Sequence, residues 1–139
     1  MKGSEEYLIQ YMGGTATHFI IPVYQRNYNW KIEQCKQLFD DLVKLKNQGR
    51  KSHFFGCIVS VYDSYSLNDG FLIIDGQQRL TTVSLLLLAM CNLLDEGSIK
   101  SSRENLGQMI REEFLIDKWK SKETRIKLKP VKKDLKAFE

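Results

Sequence analysis

The chain has 139 residues, of which 42% are hydrophobic and 27% are charged, and 21 Lys and Arg against 17 Asp and Glu give a formal net charge of +4. This length and composition predict one globular domain with a sizeable core and exclude a second domain. The longest apolar stretch, residues 83–90, is far too short to cross a bilayer, and the N-terminus has no apolar signal core. We therefore expect a cytoplasmic protein with no membrane partner, whose mild positive charge permits nucleic-acid or nucleotide partners without requiring them.

The first half of the chain predicts two helices and a strand. Residues 6–12 form a short helix, and residues 18–21 form a strand. Residues 32–45 carry apolar side chains at helical spacing, with Asn29 as a possible cap and Gly49 as a stop, which predicts an amphipathic helix.

The middle of the chain predicts a hairpin followed by a buried helix. Residues 54–62 and 71–74 are β-rich and apolar, and the turn chemistry of residues 68–70 joins them, so we expect two central antiparallel strands. Residues 80–94 are apolar almost all round, which predicts a helix covered on several sides. Gly56 is unusual inside a strand, and either a close approach or a β-bulge would explain it.

The last part of the chain predicts smaller elements. Apolar spacing over residues 106–114 indicates a helix, and Ile126 and Leu128 indicate a short strand. Residues 134–139 resemble the first turn of a helix that does not continue, so we expect the front part of a longer protein, with an exposed end through which it could form homo-oligomers. The lysine-rich residues 118–136 form either a solvated face or a contact to DNA backbone.

The three cysteines, Cys35, Cys57 and Cys91, lie far apart inside apolar runs. Their odd number and their surroundings predict small buried hydrophobic side chains in a reducing compartment.

The turn between the second hairpin strand and the buried helix combines the features of an anion site. Asp75 ends the strand, Gly76 lets the backbone approach a ligand, and Arg79 opens the helix, whose unpaired N–H groups and positive dipole end point to the same place. Such helix starts bind phosphates readily.

A second polar segment, residues 21–30, lies upstream. Gln25 and Arg26 suit phosphate or carboxylate oxygens, and an ion pair between Arg26 and Asp75 is the alternative. The aromatic side chains of this segment either stack on a base or roof the core. These side chains are Tyr24, Tyr28 and Trp30.

Both segments carry a family resemblance. The pattern Ile-Pro-x-Tyr-Gln-Arg-x-Tyr-x-Trp at residues 21–30 comes first, His-Phe-Phe-Gly at residues 53–56 follows, and Ile-Asp-Gly-Gln-Gln-Arg-Leu-Thr-Thr occupies residues 74–82. In this order they resemble the "DGQQR" domain at the N-terminus of GmrSD-type modification-dependent restriction enzymes, a family similar in fold to ParB and sulfiredoxin. The likeness extends from about residue 8 to residue 94.

The resemblance implies an α/β (α+β) ParB/sulfiredoxin-like domain over residues 1–139, with a small mixed sheet, packed helices and one buried helix after the DGQQR turn, which is residues 75–79. It implies an NTP-binding or NTP-hydrolysing sensor of an anti-phage restriction system, which reaches DNA through the full-length protein. It also implies a C-terminal HNH-type nuclease domain as partner. This chain holds only His18 and His53 and shows no HNH pattern.

The resemblance and the residue chemistry together assign candidate roles. NTP hydrolysis needs cations, N–H donors, a metal and a group that orients water. Asp75 would coordinate Mg²⁺ or orient water, with Gln77 or Gln78 placing the nucleophile. The candidates for nucleotide binding are Tyr24, Gln25, Arg26, His53, Gly76, Arg79 and Thr81.

Each role has a structural alternative. Asp75 would merely cap the helix, Gln77 and Gln78 would bond the loop to itself, Thr81 would serve as a helix cap, and His53 would be an ordinary residue at a strand edge. At the level of function, the alternative is a ParB-like DNA-binding module without turnover, in which the same arginines grip nucleic-acid phosphates.

Overall fold

The computed structural model of this protein describes residues 3, 5–13, 18–21, 28–49, 56–63, 70–116 and 127–129. Its elements in chain order are α1 (Leu8–Met12), β1 (Phe19–Ile20), α2 (Ile32–Asn47), β2 (Val59–Asp63), β3 (Gly70–Asp75), α3 (Gln77–Glu96), α4 (Leu106–Ile110), a π-helical turn (Arg111–Leu115) and β4 (Leu128–Lys129). The predicted α/β class, with a small mixed sheet and packed helices, is confirmed.

The sheet has the strand order β2-β3-β1-β4. β2 and β3 are antiparallel, whereas β1 runs parallel to both β3 and β4. The predicted antiparallel pair is therefore correct. The prediction that both strands are central is wrong for β2, which lies at one end of this order, because β1 takes the other side of β3.

The core lies between this sheet and the helices. Phe19 of β1 and Ile73 of β3 are buried together with Leu80 of α3. The rings of Tyr11, Phe19 and Phe71 pack on one another with centroids 5.2–6.0 Å apart. The other buried members of this cluster are Met12, Ile21, Leu38, Val83 and Leu128.

Helix α2 matches the predicted amphipathic helix, but its start differs. Asn29 does not cap it, because Lys31 is the N-cap residue and the Lys31 N–H donates to Gln34 Oε1 over 2.8 Å. At its other end the helix stops before Gly49, which has φ +64°, a conformation that favours glycine.

Helix α3 begins three residues earlier than predicted, at Gln77, directly after the N-cap Gly76. It ends at Gly97, which adopts φ +78° while Ser98 N–H bonds Leu93 O over 3.0 Å, the usual way to close a helix with glycine. The N-terminal half of α3 is buried, but Leu93 is 39% exposed. The predicted burial on several sides therefore holds for only part of the helix.

Some sequence predictions differ from the structure in detail, and others fall outside its described part. Cys91 is buried as predicted, but Cys35 is half-buried and Cys57 is exposed, so the prediction of three buried thiols is wrong for Cys57. Ile126, the tail of residues 130–139 and most of residues 118–136 lie outside the described residues. Among the described helices, none combines the length and apolar character that crossing a membrane requires.

Candidate functional site

The turn between β3 and α3 is built on a glycine. Gly76 has φ +91°, and its N–H donates to Asp75 Oδ1 over 2.9 Å. A Cβ at this position would lie 3.0 Å from Cys57 O and 3.2 Å from Ile58 Cα. The turn thus packs directly on the backbone of residues 57–58, and both its conformation and its surroundings require glycine.

The sheet is irregular next to this turn. Asp75 pairs with Val59 and Ile73 pairs with Ser60, and the register shifts between Val59 and Ser60. Such an irregularity bends a strand, and bulges are frequent beside functional sites. It lies at the start of β2, not at Gly56, so a bulge is not the explanation for Gly56.

Arg79 lies in the first turn of α3, and its guanidinium covers Gly56. A Cβ at Gly56 would stand 2.8 Å from Arg79 Cζ. Arg79 Nη1 donates to Cys57 O over 3.5 Å, a long hydrogen bond. Within the described part of the chain, no carboxylate forms an ion pair with Arg79. The half-buried guanidinium therefore has donors available for an anion.

The upstream polar segment meets the first turns of α3 through two contacts. Asn29 N–H donates to Gln78 Oε1 over 3.0 Å, and the Tyr28 hydroxyl lies 2.9 Å from Thr82 Oγ1. These residues are 49 and 54 positions apart in the chain. The C-terminal end of the upstream segment is thus held beside the DGQQR turn.

The direction of the second contact follows from the number of protons. Thr82 has one hydroxyl proton and donates it to Gln78 O over 2.7 Å. Tyr28 is therefore the donor to Thr82 Oγ1, while Cys35 Sγ lies 3.2 Å from the same phenol. Burial, together with the contact to Cys35, raises the pKa of Tyr28 above its ordinary value of 10.0.

The accessible surface of the turn is formed by charged side chains. Asp75 is exposed and Arg79 is half-buried. In contrast, Gln77, Gln78 and Thr81 are only 8%, 6% and 2% exposed. Asp75 and Arg79 are consequently the groups of the DGQQR turn that a ligand would meet first.

The structure bears on two of the structural alternatives. Neither Asp75 nor Thr81 caps α3, since the N-cap is Gly76, no side chain supplies a cap hydrogen bond, and Thr81 lies in the second turn. Gln78 does hold a loop, because its side-chain oxygen accepts the Asn29 N–H of the upstream segment.

Four predicted nucleotide-binding residues lie outside the described residues, namely Tyr24, Gln25, Arg26 and His53. In the described part of the chain, no cluster of three or more His, Cys, Asp or Glu side chains is suited to a metal ion.

Two contacts of the site were missed by sequence reasoning. The glycine at position 56 was visible as unusual, but nothing local indicated that Arg79 causes it. The bond between Tyr28 and Thr82 joins distant segments and leaves no periodic signal in the sequence.

A separate cleft of about 730 Å³ lies at the other end of α3, between Leu94 and Ile116. Because a helix rises about 1.5 Å per residue, this cleft is about 25 Å from the DGQQR turn. Its best-defined polar feature, the Arg111–Asp95 ion pair, already satisfies both charges. The cleft is therefore distinct from the candidate site.

Comparison with known proteins identifies one family. The family described as "GmrSD restriction endonuclease, N-terminal domain" matches residues 8–139. No curated protein sequence matches the chain significantly.

Proposed function

Because the chain belongs to the GmrSD restriction endonuclease N-terminal domain family, which gives it a role in a restriction system, we propose that it is the nucleotide-binding domain of that system. The NTP phosphates bind at the turn between β3 and α3. The bound nucleotide sets the state of the domain, and an HNH-type nuclease domain of the full-length enzyme responds to that state when it acts on DNA.

The observation that carries this proposal is the environment of Arg79. A guanidinium at the first turn of a 20-residue helix, with no carboxylate partner in the described part of the chain, offers a fixed positive charge beside the positive end of the helix dipole. Arginine–phosphate pairs are frequently bidentate, and a guanidinium that keeps two donors can form such a pair.

Gly76 and Asp75 complete the proposed phosphate site. Gly76, with φ +91°, forms the tight turn that brings Asp75 next to the first-turn amides of α3, where a phosphate would bind. The exposed Asp75 carboxylate would share a Mg²⁺ ion with the phosphates. Binding therefore depends on Arg79, while hydrolysis requires Mg²⁺ and an oriented water molecule.

The upstream segment supplies the proposed second cation. Asn29 is fixed to Gln78, and only three peptide units separate Asn29 from Arg26, which limits their separation to about 11 Å. We therefore keep Tyr24, Gln25 and Arg26 in the proposed site, together with His53, which precedes Gly56 by three positions in the chain.

Thermal unfolding with each NTP and Mg²⁺ tests the proposal. A nucleotide at one hundred times its dissociation constant adds about 2.7 kcal/mol of stability. With an unfolding entropy of about 0.3 kcal/mol/K for 139 residues, this raises Tm by about 9 °C. Arg79→Ala should abolish the shift, whereas Arg103→Ala, an exposed arginine beyond the other end of α3, should keep it.

The net charge of +4 and the same arginine also suit a DNA-binding module without turnover. That function predicts no Tm shift with any NTP, together with duplex binding that weakens steeply as salt rises. Observing this pair of results would replace the nucleotide proposal with the DNA-binding one.

A further inference from the structure

Gly56 has a backbone conformation that other residues rarely adopt, with φ +117°. It lies outside β2, which begins at Val59, so no strand requires it there. The space that its side chain would occupy is already filled. An ideal Cβ would lie 2.8 Å from Arg79 Cζ, 2.9 Å from Nη1 and 3.1 Å from Nε.

The near-equal distances show that the guanidinium plane lies across the Gly56 α-carbon. Cys57 O accepts a bond from Nη1 at the edge of the same plane. The same carbonyl oxygen, Cys57 O, lies 3.0 Å from the Cβ position of Gly76. The backbone of residues 56–58 therefore contacts both the turn and the guanidinium, and a glycine is present at each of the two contacts.

We propose that Gly56 is a positioning residue for Arg79. Its missing side chain lets the guanidinium rest on the backbone of residues 56–57, and this contact orients the other N–H donors of Arg79 for an anion. The second half of this inference rests on the proposed nucleotide site. The first half, the dependence of the Arg79 orientation on Gly56, does not.

The orientation has a physical reason to matter. A free arginine side chain is flexible, and holding it in one geometry on binding costs conformational entropy. A guanidinium that is already held in place loses less conformational entropy on binding, and its planar set of N–H donors matches two phosphate oxygens. Displacing the guanidinium by one methyl group removes this advantage without removing the charge.

A double-mutant cycle tests the contact between the two residues. The variants are Gly56→Ala, Arg79→Ala and the double variant, compared by thermal unfolding. The matched control is Gly97→Ala, where φ is +78° but no atom lies within 4 Å of the added Cβ. Backbone strain lowers Tm in both Gly56→Ala and Gly97→Ala, whereas the collision of the new Cβ with Arg79 occurs only in Gly56→Ala.

The expected result is a Tm loss for Gly56→Ala that shrinks clearly when Arg79 is also removed. An equal loss with and without Arg79 would overturn the proposal. If Gly56→Ala does not fold but the double variant does, the proposal is supported. If neither folds, the backbone alone requires glycine and the proposal is overturned.

Binding of ATP with Mg²⁺, measured well below each variant's Tm, tests the orientation. Gly56→Ala should weaken binding about tenfold or more, the loss expected for one charge-assisted hydrogen bond, while Gly97→Ala binds as the natural protein does. If folded Gly56→Ala binds ATP as tightly as the natural protein does, Gly56 does not position Arg79 for the nucleotide. If the natural protein binds no NTP, the proposed function fails, and the unfolding cycle alone decides whether Gly56 places Arg79.

Discussion

Replacing Gln78 by Met tests one of the two contacts that join the two polar segments. The side chain is 6% exposed, and its Oε1 accepts the Asn29 N–H over 3.0 Å. Methionine has nearly the same length and volume but accepts no comparable hydrogen bond, so the variant leaves the Asn29 N–H without this acceptor and creates no large cavity.

The expected loss follows from that unmade bond. Asn29 is exposed and the bond is only partly buried, so its loss should cost about 0.5–1.5 kcal/mol, the usual net value of one hydrogen bond. With an unfolding entropy of about 0.3 kcal/mol/K for 139 residues, Gln78→Met should lower Tm by about 2–5 °C. Calorimetry measures this shift, and amide hydrogen exchange at Asn29 should become faster because its bond to Gln78 is removed.

Gln37→Met is the matched control. Gln37 is exposed on α2, and its amide bonds Asp41 on the same helix, so its replacement should change the free energy of unfolding by no more than about 0.5 kcal/mol. If Gln78→Met unfolds at the same temperature as this control and Asn29 exchanges as before, the two segments are not joined through Gln78, and the reasoning is refuted.

Three further predictions concern the turn and its neighbours. Gly76→Ala should lower the free energy of unfolding by more than about 2 kcal/mol in chemical denaturation, because both the positive φ and the close backbone contacts oppose a Cβ. Gly97→Ala has a positive φ without such contacts and should lower it by only about 1 kcal/mol. The pKa of Tyr28 is raised in the folded protein, so the stability that its phenol contributes is complete below pH 10 and is lost as the pH rises through the folded-state pKa. In Tyr28→Phe, the free energy of unfolding should therefore fall less between neutral and alkaline pH than it does in the natural protein. Exposed Cys57 should react with a thiol reagent well before Cys91, whose thiol pKa is raised by burial, and ATP with Mg²⁺ should slow labelling of Cys57, as read by peptide mass spectrometry.

Opposite results would count against each of these. Equal losses of stability in Gly76→Ala and Gly97→Ala would mean that the backbone of residues 57–58 moves to accommodate a methyl group. If Tyr28→Phe loses stability at alkaline pH as the natural protein does, other groups cause that loss. If ATP does not change the rate at which Cys57 is labelled, the nucleotide binds away from the turn.

The local parts of the fold could be predicted from the sequence, because periodicity encodes them. The helical spacing of residues 32–45 predicted α2, and the apolar runs around a turn predicted the antiparallel pair of β2 and β3. The position of β1 between β3 and β4 could not be predicted, since parallel neighbours distant in the chain leave no local signal.

The start of α3 shows why boundaries fail. Its first turn contains Gln77, Gln78 and Arg79, which are polar, so the apolar pattern begins only at Leu80. The two glutamines are nevertheless buried, and Gln78 bonds a residue 49 positions away. Burial of polar side chains by distant contacts is invisible to a pattern that expects polar residues at the surface.

The sequence predicts a candidate site at this turn but does not rank its side chains. Glycine and arginine in one turn indicate an anion site, yet the pattern does not distinguish the role of Gln78 from that of Arg79. The structure separates them, because Gln78 bonds the upstream segment whereas Arg79 keeps donors beside an exposed Asp75. The relation of Gly56 to Arg79 required coordinates, since it spans 23 positions.

Amide chemical shifts during a titration with NTP and Mg²⁺ test the central claim most directly. The protein is 16.2 kDa, a size suited to two-dimensional NMR. Binding at the turn should shift the amide resonances of Gly76, Gln77, Gln78 and Arg79 and leave those of the distant cleft at Leu94–Ile116 unchanged. Shifts confined to that cleft, or no shifts with any NTP, would contradict the account.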